Sequence, residues 1–266
     1  MSRITEDTKK KIMDLAKEAG GILLHAQEIE KTVEEKSGRA NFVTAYDKKV
    51  QAFLFESLKE ILPRAVLIGE EEETHAALPK GLAFIVDPID GTTNFMKGYC
   101  VSAISIGLLE DGEPLFGVVY NPYLGELFHA ARGEGAFCNG NPIHVSPHRL
   151  GDGIVIFGTA PYNEELSKLS FRYAYEMFTR SLDVRRSGSS AIDVCNVACG
   201  RAELFFELLL SPWDYAASSL ILTEAGGVIT GPAGEKLIYD SKMGVIAGNA
   251  KAHKIFVDLW QERGGV

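Results

Sequence analysis

Three groups of acidic residues in this 266-residue chain each sit beside a conformational marker. Gly69-Glu70-Glu71-Glu72-Glu73 follows one short apolar run, and Asp87-Pro88-Ile89-Asp90-Gly91-Thr92-Thr93 follows another. Pro212-Trp213-Asp214-Tyr215 opens a helical pattern. In the first group the adjacent carboxylates cannot all point into one site. Glu70, next to the glycine and nearest the strand end, is the best single candidate. In the second, Pro88 fixes one backbone torsion and Gly91 permits a turn most residues resist. Two aspartates three apart on so stiff a loop can present oxygens to one point, with a backbone carbonyl between them. A capped turn into a short helix at Thr92 or Thr93 accounts for one of these aspartates but not both. Asp214 taken alone reads as a helix N-cap, worth about 1 kcal/mol. The spacing excludes an EF-hand loop, which needs acids or amides at alternate positions before its glycine.

The three groups together say more than each does separately. Two like charges about 4 Å apart repel by roughly 4 kcal/mol at an effective dielectric near 20, so converging carboxylates require cations. Hard oxygen ligands select magnesium, manganese or calcium over zinc. The net charge of −9 disfavours non-specific binding to nucleic acid or anionic lipid, and would repel a phosphorylated substrate unless cations sit where it binds. Of the four cysteines, Cys100, Cys138, Cys195 and Cys199, none forms a CxxC pair, and Cys195 and Cys199 read as small buried hydrophobes. The six histidines are scattered along the chain, so a histidine-based metal site or triad has little support. No apolar run approaches a membrane span, and the N-terminus carries no apolar leader segment, which sets the expected location as the cytoplasm.

The elements that must position these acids follow from periodicity. Ile12, Leu15, Ala16, Ala19, Ile22, Leu23 and Ala26 recur at helical steps, with Gly20-Gly21 marking a kink or close packing. Residues 34–41 read as a loop, and a second helix runs from about Tyr46 to Leu62, ended by Pro63. Strands are expected at 65–68, 82–86, 103–109, 115–120 and 127–131, which makes the first half two helices on a largely antiparallel sheet. Beyond a turn-rich loop at 147–153, strands at 154–157, 183–186, 202–206, 228–230 and 244–247 alternate with helices at 164–179, 191–198, 214–225 and 251–261. The expectation is a single catalytic unit: an N-terminal α+β lobe over 1–147 with most of the acids, and a C-terminal α/β lobe over 148–266 with Asp214.

Ile68-Gly69-Glu70-Glu71, Val86-Asp87-Pro88-Ile89-Asp90-Gly91-Thr92-Thr93-Asn94-Phe95, Pro212-Trp213-Asp214-Tyr215-Ala216-Ala217 and Thr223-Glu224-Ala225-Gly226-Gly227 closely resemble the inositol monophosphatase family, of the lithium-sensitive, magnesium-dependent phosphatases. The resemblance runs from about residue 5 to 260. It implies a layered α-β-α-β-α sandwich of the inositol monophosphatase and fructose-1,6-bisphosphatase type, commonly homodimeric. It implies two or three Mg2+ ions, with Mn2+ possible and Li+ and Ca2+ as inhibitors. Glu70, Asp87 and the Ile89 carbonyl would hold the first ion, Asp87, Asp90 and Asp214 the second, and a third would sit near Glu70. Phosphate would lie against the Gly91 and Thr92 N–H groups at a helix start. Water activated by the metal would attack, oriented or deprotonated by a Thr92–Asp47 dyad. Asp47 also fits a capping box with Thr44, and both roles are compatible.

On the substrate side the resemblance places Glu207, Gly188, Ser189 and Ser190, with Arg185 or Arg186 reaching a polar substituent. Lys36 falls in the loop that covers the site in relatives and reads equally as a surface lysine. Ser37-Gly38-Arg39-Ala40 departs from the usual first loop, and Cys100 stands where many relatives have proline, with a packing consequence expected. The leading expectation is hydrolysis of myo-inositol monophosphate to inositol and phosphate. The same chemistry on fructose 1,6-bisphosphate, histidinol phosphate, a nucleotide 3′-phosphate or NADP is the first alternative. A protein that mainly binds a partner, with secondary phosphatase activity, is the second.

Overall fold

The apolar side of the first helical pattern is buried along α1, Glu6–Leu24, whose start is capped by the Thr5 side chain accepting from the Thr8 amide. The structure is a computed structural model describing residues 4–27, 33–35, 42–72 and 78–265, so Lys36 and the Ser37-Gly38-Arg39-Ala40 segment lie outside the described residues. Gly20 resolves as close packing: a Cβ there would lie 2.5 Å from the Tyr120 ring, whereas Gly21 faces open space. Two three-residue strands, β1 (Val33–Glu35) and β2 (Phe42–Thr44), form an antiparallel pair. The expected loop at 34–41 is thus corrected at its first residues. Strands this short have no room to display alternation. The second helix, α2 (Ala45–Ile61), begins one residue earlier than expected, at its Thr44 cap.

The first large sheet has seven strands, β3 (Val66–Gly69), β4 (Leu82–Asp90), β5 (Ala103–Glu110), β6 (Glu113–Asn121), β7 (Glu126–Ala131), β8 (Ala136–Cys138) and β9 (Asn141–Pro142), neighbours in that order. Only the β3–β4 pair is parallel. β4 extends four residues beyond its expected end at Val86. Between Asp87 and Asp90 one extra residue faces β5, a bulge that admits Pro88 despite its missing N–H. Asp87 and Asp90 therefore belong to the strand rather than to a loop after it. A short helix, α3 (Thr92–Met96), follows directly.

The second sheet has five strands in the order β11 (Asp183–Arg185), β10 (Ile154–Phe157), β12 (Leu204–Leu210), β14 (Met243–Gly248) and β13 (Val228–Thr230). β10 runs parallel to β11 and β12, while β14 runs antiparallel to β12 and β13. β12 continues through buried Glu207 to Leu210, beyond the expected end at Phe206, because a paired strand accommodates a buried carboxylate that finds donors. Helices α4 (Glu164–Phe178) and α7 (Ala250–Glu262) cover its outer face, and α5 (Ser190–Ala198) and α6 (Pro212–Glu224) fill the space between the sheets. Three apolar cores separate the layers: α1 and α2 on the first sheet, α5 and α6 between the sheets, α4 and α7 on the second. The architecture is the α-β-α-β-α sandwich.

α6 reaches the first sheet where two glycines face each other across strands, Gly107 on β5 and Gly117 on β6. A Cβ on Gly117 would sit 2.5 Å from the Ala217 carbonyl oxygen, and one on Gly107 would lie 3.1 Å from the Ala217 amide. Both targets are backbone and cannot turn aside. Gly117→Ala should therefore cost about 1–3 kcal/mol and lower the melting temperature by about 3–10 °C in a thermal scan of the metal-free protein. Because Asp214 lies one turn before Ala217, activity should fall as well; an unchanged melting temperature would show that α6 shifts freely.

Candidate active site

Asp87 and Asp90 at the end of β4 and Asp214 in the first turn of α6 each offer a carboxylate oxygen, and the three oxygens lie within 4.8 Å of one another. They line a cleft of about 210 Å³ between the two sheets, together with Glu70, just after β3, and Ile89. The acidic run divides its members: Glu70 faces the cleft, Glu72 accepts from the Gly69 amide (3.3 Å), and the Glu71 amide is held by Gln51 (2.9 Å). Asp214 is the third residue of α6 rather than its N-cap. Ser211 takes the cap position, and its amide donates to Asp214 Oδ2 at 2.7 Å.

Burial and then the Glu70, Asp90, Asp214 and Asp47 carboxylates push Asp87 well above the ordinary value of 3.8. Burial, Glu70 and Asp90 push Asp214 up likewise. Asp90 rises to about 6 through burial, restrained by donors from Ser189, Ala191, Ser190 and Ile192. A donor set made only of oxygen, with mutually repelling charges in a desolvated cleft, fits a hard divalent cation. The side-chain and carbonyl oxygens of Asp87, Asp90, Asp214, Glu70 and Ile89 are the groups that can hold it.

Asp47 lies beside this cluster and is fully buried. Its Oδ2 accepts from the Thr44 amide (2.7 Å) and the Thr44 hydroxyl (2.6 Å), completing the expected capping box of α2. Its Oδ1 is left to accept from Thr92 Oγ1 at 3.2 Å. Thr92 Oγ1 also lies 3.1 Å from the Ile89 carbonyl, so one hydroxyl proton chooses between two acceptors. Burial is the first cause of a raised Asp47 pKa.

The two sheets meet at Gly91, whose φ of +90° is open to glycine and strained for other residues. A Cβ there would lie 3.0 Å from the Val101 carbonyl and 3.1 Å from the Gly188 carbonyl. Asn94, to which the sequence reasoning assigned no role, ties the junction: its side-chain amide donates to the carbonyls of Val101 and Ser187, each at 2.8 Å. Asp90 ties it a second time, accepting from the Ser189 hydroxyl and from the amides of Ser190 (3.2 Å) and Ala191 (2.9 Å) at the start of α5. Cys100 is exposed with φ +59°, a conformation closed to proline. Its expected packing consequence is thus corrected to a backbone one.

Glu207, Ser190, Gly188 and Arg186, expected on the substrate side, line the same cleft. Ser189 is buried and turned to Asp90. Glu207 Oε1 accepts from the Ala160 amide and Oε2 from the Ser190 hydroxyl, both at 3.0 Å. Among the lining residues that were not anticipated are Asp193, Tyr162 and Lys242. Burial, then Glu70, Asp214, Glu207 and Asp87, pushes the Tyr162 phenol up. Asp193 lies one helical turn from Ser189, which a helical-wheel reading of α5 would have brought to the cleft; Tyr162 and Lys242 carry no such signal.

A carboxyl whose folded pKa exceeds its unfolded value stabilises the fold most below the unfolded value, and that contribution is lost as pH rises through the folded one. Asp87, Asp90 and Asp214 all shift upward from 3.8, with Asp90 near 6. The metal-free protein should therefore lose thermal stability as pH rises from about 5 to 8 in the presence of chelator, and added Mg2+ should flatten that slope. Asp87→Asn keeps the acceptor for the Ile89 amide (3.0 Å) and removes one repelling charge. It should raise the metal-free melting temperature at pH 8 while lowering turnover at least about 100-fold; a lower melting temperature would contradict the electrostatic account.

The profile of the Inositol monophosphatase family matches residues 5–263. Inositol monophosphatase 2 of Solanum lycopersicum is 39% identical over 259 residues, covering 94% of this chain and 96% of the relative. The Nus factor SuhB of Salmonella typhimurium is 34% identical over 241 residues, covering 90% of each. The crystal structure of the extragenic suppressor protein suhB from Bartonella henselae superposes with a TM-score of 0.87 at 32% identity, covering 95% of this chain and 98% of that one. With the matched profile spanning the acids, the Asp47–Thr92 pair and both sheets, the chain belongs to the inositol monophosphatase family of metal-dependent phosphatases.

Proposed function

We propose that the protein is a magnesium-dependent phosphomonoesterase that hydrolyses myo-inositol monophosphate to inositol and phosphate. The observation that carries this reading is the convergence of Asp87, Asp90 and Asp214 within 4.8 Å, with the Thr92–Asp47 pair at the same cleft. Glu70, Asp87, the Ile89 carbonyl, Asp90 and Asp214 would hold two or three Mg2+ ions, which when bound neutralise the phosphate, lower the pKa of water and stabilise the leaving oxygen. Thr92 Oγ1 can accept from a water while donating to Asp47 Oδ1, which orients that water and offers its proton a route to a buried base. The amides of Gly91 and Thr92, at the start of α3, would donate to the phosphate. Glu207, Ser190, Gly188 and Arg186 form the wall for the alcohol portion, and Ser189 acts through Asp90.

In this reading residues 1–147 and 148–266 are two lobes of a single catalytic unit, working in the cytoplasm as a homodimer on a small phosphorylated polyol. The relative named a Nus factor supports keeping partner binding as a second reading.

Phosphate release should be followed from inositol 1-phosphate, fructose 1,6-bisphosphate, histidinol phosphate, a 3′-phosphonucleotide and NADP, with magnesium, with chelator, and with magnesium plus lithium. The blank should be Glu70→Gln, because Asp90 also holds the start of α5 through three donors and its amide would misplace one of them. Magnesium-dependent release that is strongest on inositol 1-phosphate is the expected outcome. A different preferred substrate would move the error to the Glu207 wall, and no release from folded, metal-bound protein would favour the partner-binding reading.

A further inference from the structure

The loop between β10 and α4 is held more tightly than a connection requires. The Gly158 amide donates to the Phe206 carbonyl (2.8 Å), and the Ala160 amide donates to Glu207 Oε1 (3.0 Å). The Ala160 carbonyl accepts from the Asn163 amide and the Ser167 hydroxyl, both at 3.0 Å. Ala160 has φ +44°, a strained setting for a residue with a side chain, and the next residue is Pro161, which narrows the choices further. Strain that the surroundings over-determine clusters where a chain must aim something.

Pro161 is followed by Tyr162, which is 55% exposed yet lines the cleft. It shares the lining of that cleft with Glu70, Asp87, Asp214 and Glu207. Among the described residues the Tyr162 hydroxyl donates to no protein acceptor. Meanwhile both oxygens of Glu207 are engaged, one by this loop and one by Ser190. The loop thus brings to the wall a donor that is not already committed within the protein.

We propose that the Tyr162 hydroxyl is a specificity-determining donor to the ester oxygen on the alcohol side of the substrate. This rests on the phosphomonoesterase reading above. A phenol is a donor at neutral pH, and its hydrogen bond strengthens as the alcohol oxygen gains negative charge in the transition state. Such help matters most for a poor leaving group such as a polyol alkoxide, and least for a leaving group that is stable as an anion.

The test compares wild type with Y162F, which keeps the ring, in the magnesium-loaded enzyme on inositol 1-phosphate and on p-nitrophenyl phosphate. Y162F should lower kcat on inositol 1-phosphate about 10- to 100-fold, with a loss at least about fivefold smaller on p-nitrophenyl phosphate. Calorimetric binding of inositol 1-phosphate to the calcium-loaded proteins gives a readout without turnover, and Y162F should weaken it about two- to tenfold. Should wild type cleave neither ester, the phosphomonoesterase reading falls and the calorimetric comparison alone decides the role of Tyr162. Equal losses on both esters, a larger loss on p-nitrophenyl phosphate, or no difference in any arm would overturn the proposal.

Discussion

The rest of the structure answers to the repulsion among carboxylates gathered in one desolvated cleft. Asp47, Asp87, Asp90 and Asp214 would each be expensive to bury alone: burial raises the pKa of all four, and neighbouring carboxylates push Asp87 and Asp214 higher still. The chain meets this cost with backbone amides. Asp47 is held at the start of α2, Asp90 at the start of α5 and Asp214 at the start of α6. Helix starts carry partial positive charge and unpaired N–H groups, so each acid satisfies donors that would otherwise be orphaned. Asp87 receives the Ile89 amide instead.

This arrangement divides the oxygens of each acid. Asp47 gives Oδ2 to its cap and keeps Oδ1 for Thr92, and Asp214 gives Oδ2 to the Ser211 amide. Structural and chemical roles are therefore not alternatives at these positions; one oxygen fixes the direction in which the other points. Asp90 departs from the pattern, since Ser189, Ser190 and Ala191 engage both its oxygens. It joins the first sheet to the helix layer as much as it serves the cleft. Close approach is the other half of the design: Gly107 and Gly117 admit α6, while Gly91 and Gly188 admit the crossing of the two sheets.

The legible parts of the sequence were those in which one residue type had few physical explanations. Asp87 and Asp90 on either side of Pro88 marked two carboxylates that converge, although on a bulged strand rather than a turn, and helical periodicity placed α1, α2, α4 and α7 within a few residues. The sequence was less legible where backbone geometry decided. The bulge that carries β4 through Pro88 has no signature in residue type, and β1 and β2 are too short to show a period. Taken alone Asp214 reads as a cap, but Ser211-Pro212, with Pro at the first helical position, marks the helix start two residues earlier.

The wall proposed for the alcohol portion of the substrate was the hardest to foresee, for a physical reason. Metal-binding acids announce themselves because buried carboxylates are rare and need compensation. A wall that recognises an alcohol is made from ordinary residues brought together by the fold. Ser190 comes from the start of α5, Glu207 from mid-strand, Tyr162 from a strained loop and Lys242 from the residue before β14. Glu207 shows how these pieces depend on one another, since its two oxygens hold the Ala160 loop and the start of α5 at once. Substituting it would disturb two sides of the wall together, so a loss of activity at Glu207 would not by itself reveal a contact with substrate. The phenol of Tyr162 has no comparable structural duty, which makes its hydroxyl the sharper probe of what the wall recognises.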